Sequence, residues 1–390
     1  MSQLRFCGFL LPVFALLFAS RVAAVGQSAV ITLVFPSGSR TSAMGEVGTA
    51  LADDEQVLFN NPAGLGLNNS RWRGGAGTES YEQLLPAFKI PDLWHFHFAG
   101  VMQPRYYDYG GYALDMNYIN FGTNDLTDAQ GRITGSARSY EYVLGAAWGF
   151  NFEEFGIKNH AFGVSFKYVE SALAPGMGPG DEGMGRTIAI DFGYLWQFVP
   201  FMRFGFTFMN MGPSIFYVSP DQSDPIPFTI NTAIAYKDDF CFQKTEVFEF
   251  AAELKTDLEV VKNYPDKKPD PFWKAIYTGW LGDTSRSITE KFQEIGWQQG
   301  IEATFFNTVS LRQGFLIDRA GQRFELHWGY GFKLFNHFQI DFSYIYSPEG
   351  YLKGMFSEGS SGARDGQWQF TTTYFRMGNW SEKDRRWWKK

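Results

Sequence analysis

The sequence contains almost no cysteine, and this scarcity excludes one class of exported protein. Among its 390 residues only Cys7 and Cys241 are cysteines. Cys7 lies in an N-terminal segment that we expect to be removed, so one thiol remains in the mature chain. An internal disulfide framework is therefore excluded. We expect Cys241 to be a buried or turn-located thiol without a chemical role.

Long apolar runs are also missing outside the N-terminus. Residues 1–24 are typical of a signal peptide, with basic Arg5, an apolar stretch over residues 6–19 and a small-residue cleavage site at residues 22–24. That stretch is shorter than the roughly 20 residues that a spanning helix needs. The mean hydropathy is −0.22. The net charge of −7 argues against nucleic acid as a partner.

The sequence also lacks the local patterns that carry catalysis or metal binding. It has no Gly-x-Ser-x-Gly motif, and the Gly-rich run at residues 175–180 lacks the Gly-Lys-Ser/Thr ending of a phosphate loop. His95 and His97 share a strand face, but the chain has only 5 histidines, too few to favour a metal site. We therefore expect neither an enzyme nor a cofactor nor a metal.

What the sequence does contain is aromatic residues in alternation. They make up 18% of the chain, with 40 Phe, 19 Tyr and 12 Trp, alongside 42 Gly. In residues 322–334, for example, large apolar side chains alternate with polar or small ones. The first set is Phe324, Leu326, Trp328, Tyr330 and Phe332, and the second is Glu325, His327, Gly329 and Lys333. This pattern is typical of transmembrane β-strands with one face toward lipid.

Counting such segments predicts an all-β fold, an antiparallel outer-membrane barrel of about fourteen strands. We assign residues 71–377 to the barrel and residues 378–390 to a tail. Long connections at residues 123–138, 256–295 and 347–366 alternate with short ones, which places the long ones outside the cell. We expect acids on the lumen face to have Lys or Arg partners. These acids are Asp115, Asp191, Glu249, Glu325 and Asp341.

Residues 25–70 precede the strands and have too little apolar surface to fold alone. We interpret them as a plug, or hatch, inside the barrel. Met44, Val47, Ala50 and Leu51 recur at helical spacing and predict a helix capped by Ser39 or Thr41. The plug residues that we single out are the acidic pair and the corner that ends the segment. They are Asp53, Asp54, Asn60, Asn61, Pro62 and Gly64.

The connection at residues 256–295 differs from the others because it carries a cluster of aromatic residues. Loops of this length without a function are uncommon, and exposed aromatic side chains usually have something to contact. The candidate contact residues are Phe272, Trp273, Tyr277 and Trp280. The alternative is a lid that folds back over the mouth of the barrel.

The plug segment SRTSAMGEVGTALADDEQVLFNNPAGL resembles the N-terminal hatch signature of FadL-type outer-membrane barrels, and most closely that of the PorV/PorQ branch. The segment FTFMNMGPSIFYVSPDQSDPIPFTINTAIAY and the hairpins over residues 299–348 resemble PorV segments in the same order. The tail after the last strand departs from this pattern, because many such barrels end on an aromatic residue.

The resemblance implies a component of the type IX secretion system in the bacterial outer membrane. PorV-like proteins bind secreted cargo through its C-terminal signal domain and hand it from the translocon to the surface attachment machinery. Under this resemblance, the aromatic residues of the connection at residues 256–295 are the candidate cargo-binding residues. The implied partners are the translocon barrel, attachment-complex proteins, cargo C-terminal domains and outer-membrane lipid. The hatch signature is shared with FadL-type channels for hydrophobic small molecules, so this function stays open as an alternative. Whether the role is PorV-like or PorQ-like also stays open.

Overall fold

The computed structural model describes residues 28–67, 75–104, 110–127, 130–175, 183–242, 245–261, 269–281, 287–334, 337–353 and 359–375. The predicted signal peptide and the C-terminal tail lie outside these residues. No helix in the described ranges is long and apolar enough to cross a membrane.

Fourteen antiparallel strands form one closed barrel, as the sequence predicts. A separate two-stranded hairpin, β8 and β9, lies in the connection after β7. The strands are β1 (Ala76–Gln83), β2 (Leu93–Met102), β3 (Gly110–Thr127), β4 (Ile133–Asn151), β5 (His160–Ala172), β6 (Met184–Val199), β7 (Met202–Met211), β8 (Ile215–Phe216), β9 (Ser223–Asp224), β10 (Thr229–Phe242), β11 (Thr245–Glu259), β12 (Gly296–Phe305), β13 (Val309–Asp318), β14 (Arg323–Leu334), β15 (Phe338–Tyr346) and β16 (Trp368–Phe375).

The alternation along the strands has the predicted phase. In β14, Trp328 and Tyr330 are 41% and 46% exposed on the outer face. His327, which precedes Trp328, is fully buried in the lumen. Because side chains alternate strictly along a strand, these three positions fix which face each of the remaining residues of β14 occupies. The large aromatic side chains of β14 therefore face outward, and its polar side chains face a filled interior.

The connection predicted at residues 123–138 is wrong, because β3 and β4 continue through it. Thr123 pairs with Arg138 and Asp125 with Ser136, so only residues 128–132 connect the strands. Exposed polar side chains such as Thr123 and Asp125 occupy this extension. Alternation of apolar and polar residues reveals a strand only when one of its faces is apolar. The extension of β3 and β4 is polar on both faces and therefore lacks this pattern.

The long connection between β11 and β12 spans residues 260–295 and contains helical segments. These are α4 (Phe272–Ala275), a π-helix at Ile276–Leu281 and α5 (Ile288–Gln293). Single 3₁₀ turns lie in other connections, at Pro86–Phe88 and Glu153–Phe155. We call the end of the barrel with this connection the long-loop end, and the opposite end the short-turn end.

Residues 28–67 run through the lumen from one end to the other. Ala29 donates its backbone N–H to Pro225 O (2.8 Å) at the long-loop end, and the Asn151 amide donates to Gly66 O (3.2 Å) at the short-turn end. Between them lie a 3₁₀ turn (Ile31–Leu33) and three short helices. The helices are α1 (Ser39–Ala43), α2 (Val57–Asn60) and α3 (Gly64–Leu67).

The helix predicted over Met44–Leu51 is wrong. Gly45, Glu46 and Gly48 have φ angles of 71°, 66° and 146°, which break the helical path. The N-cap of the one-turn α1 is Gly38, and neither Ser39 nor Thr41 caps it. The four apolar residues still pack together, against small side chains of the wall. Those side chains are Ala233, Ala235 and Ala251.

The alternation predicts different costs for the same charge on the two faces. Tyr330→Arg puts a charge on the lipid face, which costs about 2–4 kcal/mol near mid-membrane. Gln339→Arg is the matched lumen variant, because Gln339 lines a polar cavity and its amide donates to Asp341 (2.8 Å). Urea titration of the folded barrel in lipid vesicles measures both. Equal losses of unfolding free energy would contradict the assigned faces.

Candidate functional site

A buried ion-pair network joins the plug to the barrel wall, and Arg40 is its centre. The Arg40 guanidinium contacts Asp53 (2.6 Å) and Asp54 (3.1 Å) of the plug and Glu302 (2.8 Å) of β12. The side chain of Arg40 is 13% exposed, and that of Asp53 is fully buried. The acidic pair that the sequence singles out therefore binds a cation of its own segment.

The network continues into the wall on both sides of Arg40. Glu302 also contacts Arg312 (2.5 Å), which reaches Asp341 (2.6 Å) on β15. On the other side, Lys237 of β10 lies 2.8 Å from Asp53 and 3.0 Å from Glu249. The expectation that lumen acids have basic partners is confirmed for these residues. Through these pairs the plug is held by several strands at once.

The charge state of Arg40 follows from its surroundings. Burial acts to lower the pKa of the guanidinium, but the carboxylates of Asp53, Glu302 and Asp54 hold this pKa well above its ordinary value. Arg40 is therefore charged at any pH at which its carboxylate partners are ionised. Removing one partner of a buried pair leaves an uncompensated charge, which makes the network difficult to open.

A second ionic cluster holds the plug near the long-loop end. Glu46 contacts Arg323 (2.7 Å) and Arg364, and both arginines also contact Glu325. Burial acts to raise the pKa of Glu46, but the two arginines outweigh it and lower this pKa to about 2. Its stabilising contribution is present above the unfolded pKa of about 4.3 and is lost as the pH falls toward 2.

The wall also binds the plug backbone. The Glu253 carboxylate of β11 accepts hydrogen bonds from three plug amides, those of Gly48 (2.9 Å), Ala50 (3.2 Å) and Leu51 (2.8 Å). These amides belong to a turn that makes no helical ladder, so the carboxylate satisfies donors that would otherwise be buried and unpaired. A charged acceptor strengthens each of these bonds.

The Asn60–Gly64 corner forms the turn that the sequence predicts. Asn61 Oδ1 accepts from the Ala63 amide (3.0 Å), and its Nδ2 donates to Thr49 O (2.8 Å). Asn60 donates to the Thr41 hydroxyl (3.0 Å). Asn61, preceding Pro62, is extended, with φ −168° and ψ 108°, as expected before proline. Gly64 faces Ala52 so closely that a side chain there would overlap Ala52 O.

Glycines on the lumen face of the wall make room for this corner, and they are not among the residues predicted from the sequence. A Cβ at Gly163 would overlap the carbonyl group of Pro62, and one at Gly193 would overlap the Asn61 side chain. At Gly145 a Cβ would lie 2.9 Å from Leu58. The signal that would have found them is glycine at lumen-facing strand positions. Further examples are Gly149, Gly205, Gly300, Gly314 and Gly329.

His95 and His97 share a strand face, as predicted, and lie buried in the lumen, where they bind other side chains. His97 Nε2 lies 2.6 Å from Asp115, and His95 Nε2 lies 3.1 Å from Asn117 Oδ1. Within the described ranges no group of three or more His, Cys, Asp or Glu residues could hold a metal ion. Cys241 forms no disulfide within the described ranges; it is exposed, and its thiol donates to the Asp239 carboxylate (3.3 Å).

Two cavities border the plug. The one toward the short-turn end has a volume of about 80 Å³, and its lining is mainly polar, including Arg40, Glu302 and Arg312. The one toward the long-loop end has a volume of about 250 Å³ and combines apolar Phe35 and Leu85 with the ionic cluster of Glu46. The lumen thus offers a small polar space on one side and a mixed one on the other.

The aromatic loop residues divide into an anchor and an exposed pair. Phe272 packs against Phe228, with ring centroids 6.4 Å apart. Trp273 and Tyr277 are 70% and 67% exposed, and we call this pair the aromatic platform. The backbone of Trp280 lies in the π-helix, but its side chain lies outside the described part of the structure.

The helical segment of this loop leans on the outer rim of the barrel. Phe272 and Ile276 join a cluster with outward-facing side chains of three strands. Those side chains are Phe208 of β7, Ile230 of β10 and Leu258 of β11. These contacts place the platform beside the rim, whereas a lid would lie across the mouth.

Comparison with known proteins supports the fold. No family model and no curated protein matches the chain. The structure is similar to the Pseudomonas putida toluene transporter TodX, with a TM-score of 0.52 and 10% identity over 88% of this chain and 99% of that chain. The Ralstonia pickettii toluene transporter TbuX has a TM-score of 0.48 and 14% identity over 87% of this chain and 98% of that chain. A Pseudomonas aeruginosa FadL homologue has a TM-score of 0.45 and 11% identity, with 88% and 99% covered.

The chain therefore has the fold of FadL-type outer-membrane barrels, a closed fourteen-stranded barrel with its N-terminal segment inside. Sequence identities this low show the fold alone, so the activity has to be inferred from the residues of this chain.

The network predicts that Arg40 stabilises the plug far more than an exposed ion pair does. Arg40→Ala leaves three carboxylates without their shared cation, and removing one partner of a buried pair costs about 3–5 kcal/mol. Lys274→Ala is the control, because its pair with Asp270 is exposed and such pairs contribute about 0–1 kcal/mol. Protease sensitivity of the plug in folded barrels should rise only in the first variant. Unchanged sensitivity would contradict the role of the network.

The glycines give a second prediction. Gly163→Ala forces the corner at Pro62 to shift, and overpacking of this kind costs about 1–3 kcal/mol. Gly100→Ala is the matched control on a neighbouring part of the sheet, because no atom lies within 4 Å of its Cβ position. Melting temperatures of the two purified barrels measure the difference. A similar temperature for both would show that the wall does not depend on the plug.

Proposed function

We propose that this protein is a non-enzymatic, PorV-like component of a type IX secretion system that binds secreted cargo at its surface. The observation that carries this proposal is the network centred on Arg40, which fixes the plug in the lumen. A barrel closed in this way works through surfaces that it presents outside the lumen. The sequence resemblance to PorV supports the same function.

The aromatic platform is the surface that fits a protein partner best. Binding energy in protein interfaces is concentrated in buried aromatic side chains. Trp273 and Tyr277 are exposed, and the packing of Phe272 holds their helical segment in place before any partner arrives. Little ordering entropy is then lost on binding, which favours affinity. The cargo element would be its C-terminal signal domain, passed from the translocon barrel to attachment proteins in the outer membrane.

The second candidate is a channel for hydrophobic small molecules. The fold similarity to TodX favours it over the first candidate, because TodX is a toluene transporter. The cavity of about 250 Å³ beside Phe35 would be the entry site. Passage would require the plug to move, and therefore the buried pairs of Arg40 and Glu46 to open.

A pair of double variants separates the two candidates. Trp273→Ser with Tyr277→Ser removes the platform and leaves the anchor Phe272 in place. Phe155→Ser with Phe306→Ser is the control, because these side chains are 73% and 66% exposed at the short-turn end. We expect the platform variant to lose at least tenfold in affinity for an isolated C-terminal signal domain, measured by titration against the purified barrel. Cargo should then accumulate in the periplasm.

The same cells report on the channel through uptake of labelled toluene. Uptake should not respond to either double variant if the protein is a cargo receptor. Normal secretion together with toluene uptake that depends on this protein would favour the channel. Loss of membrane insertion in the platform variant alone would assign Trp273 and Tyr277 to anchoring in the membrane interface.

A further inference from the structure

One part of the lipid-facing wall carries a charge where apolar side chains are expected. Glu79 of β1 points outward and is exposed. Its carboxylate accepts a hydrogen bond from the Thr372 hydroxyl (3.1 Å) of β16. Within the described ranges it forms no ion pair.

Aromatic side chains flank Glu79 on the outer face of the barrel. Two residues further along β1, Tyr81 contacts Trp94 and Trp368, with ring centroids 6.2 and 6.1 Å apart. At a rise of about 3.3 Å per residue, Glu79 lies roughly 7 Å along the strand from this aromatic cluster, toward the short-turn end. Two residues before Glu79, Gly77 pairs with Tyr374 of β16. A charge on this face costs up to about 2–4 kcal/mol in lipid, depending on its depth.

Two glycines leave open space beside Glu79, although the packing of the barrel does not require glycine at either position. Gly77 and Gly100 are direct neighbours across β1 and β2. A Cβ at Gly100 would meet nothing within 4 Å, and one at Gly77 would meet only Ala99 O at 3.8 Å. This contrasts with the lumen glycines, where a side chain would overlap the plug. Small residues on a membrane face allow another backbone to approach closely.

We propose that this region, which we call the Glu79 notch (Gly77, Glu79, Gly100 and Thr372), is a docking surface for another membrane-embedded protein that presents a Lys or Arg side chain. The carboxylate supplies the charge complement, and the glycines supply the space. Ionisable residues inside a membrane are commonly functional because they are expensive to keep there. This surface is distinct from the aromatic platform, so the inference does not depend on the cargo-binding proposal.

A second copy of this chain fits the notch less well. A two-fold contact through the notch would bring one Glu79 against the other, and like charges in a low-dielectric setting repel. A basic side chain, in contrast, neutralises Glu79 and removes the cost of its exposure to lipid.

Photo-crosslinking in intact cells tests this surface. In one variant a benzophenone amino acid replaces Phe98, which pairs with Glu79 in the sheet. In the control variant it replaces Ile234, on the other side of the barrel. Both natural side chains are 49% exposed. We expect an adduct only from position 98, with a membrane-embedded protein whose crosslinked segment carries Lys or Arg. In the Glu79→Leu background the adduct should fall roughly three- to twentyfold, the range that intramembrane polar contacts give. The Glu79→Asp variant should retain most of it.

The other outcomes overturn the proposal. They are an adduct between two copies of this chain, adducts with lipid alone, or a protein adduct that Glu79→Leu leaves unchanged. Heat-modifiable gel mobility checks that the Glu79→Leu barrel is folded. We expect folding at least as efficient as in the parent, because leucine on the lipid face removes the exposed charge.

Discussion

The structure depends above all on one buried guanidinium. Arg40 belongs to the plug, yet it binds both the acidic pair of its own segment and Glu302 of the wall. None of these charges is tolerable in the lumen alone, because desolvation of an unpaired ion costs several kcal/mol. The plug and the wall are thus each incomplete without the other, and the lumen is closed as a consequence.

Steric fit enforces the same constraint. The corner at Pro62 lies against Gly163 and Gly193, where side chains of any size would overlap it. Glu253 then satisfies amides of the turn that Gly45 and Gly48 create. The plug is short of regular structure because the wall supplies hydrogen bonds that a helix would otherwise supply. Function is therefore sought on the outer surfaces, at the aromatic platform and the Glu79 notch.

Much of this architecture is predictable from the sequence, and the limits have physical causes. Alternation such as that around Trp328 reveals strands because lipid and lumen select opposite side chains. It does not reveal the outer half of the β3–β4 hairpin, where water lies on both faces. The Asn61–Pro62 turn is local and was predicted, whereas the Met44–Leu51 segment takes its path from positive φ angles and wall contacts. The partners of Arg40 are up to 262 residues away in sequence, and no local pattern encodes such pairing.

The central claim is that the plug is a fixed part of the folded barrel. Hydrogen–deuterium exchange of the intact barrel in lipid vesicles tests it most directly, through peptides that cover residues 40–60 and the amides bound by Glu253. The account predicts that these amides exchange as slowly as those of β11, because their opening requires the ion pairs to break. Exchange within seconds, while the strands stay protected, would contradict it.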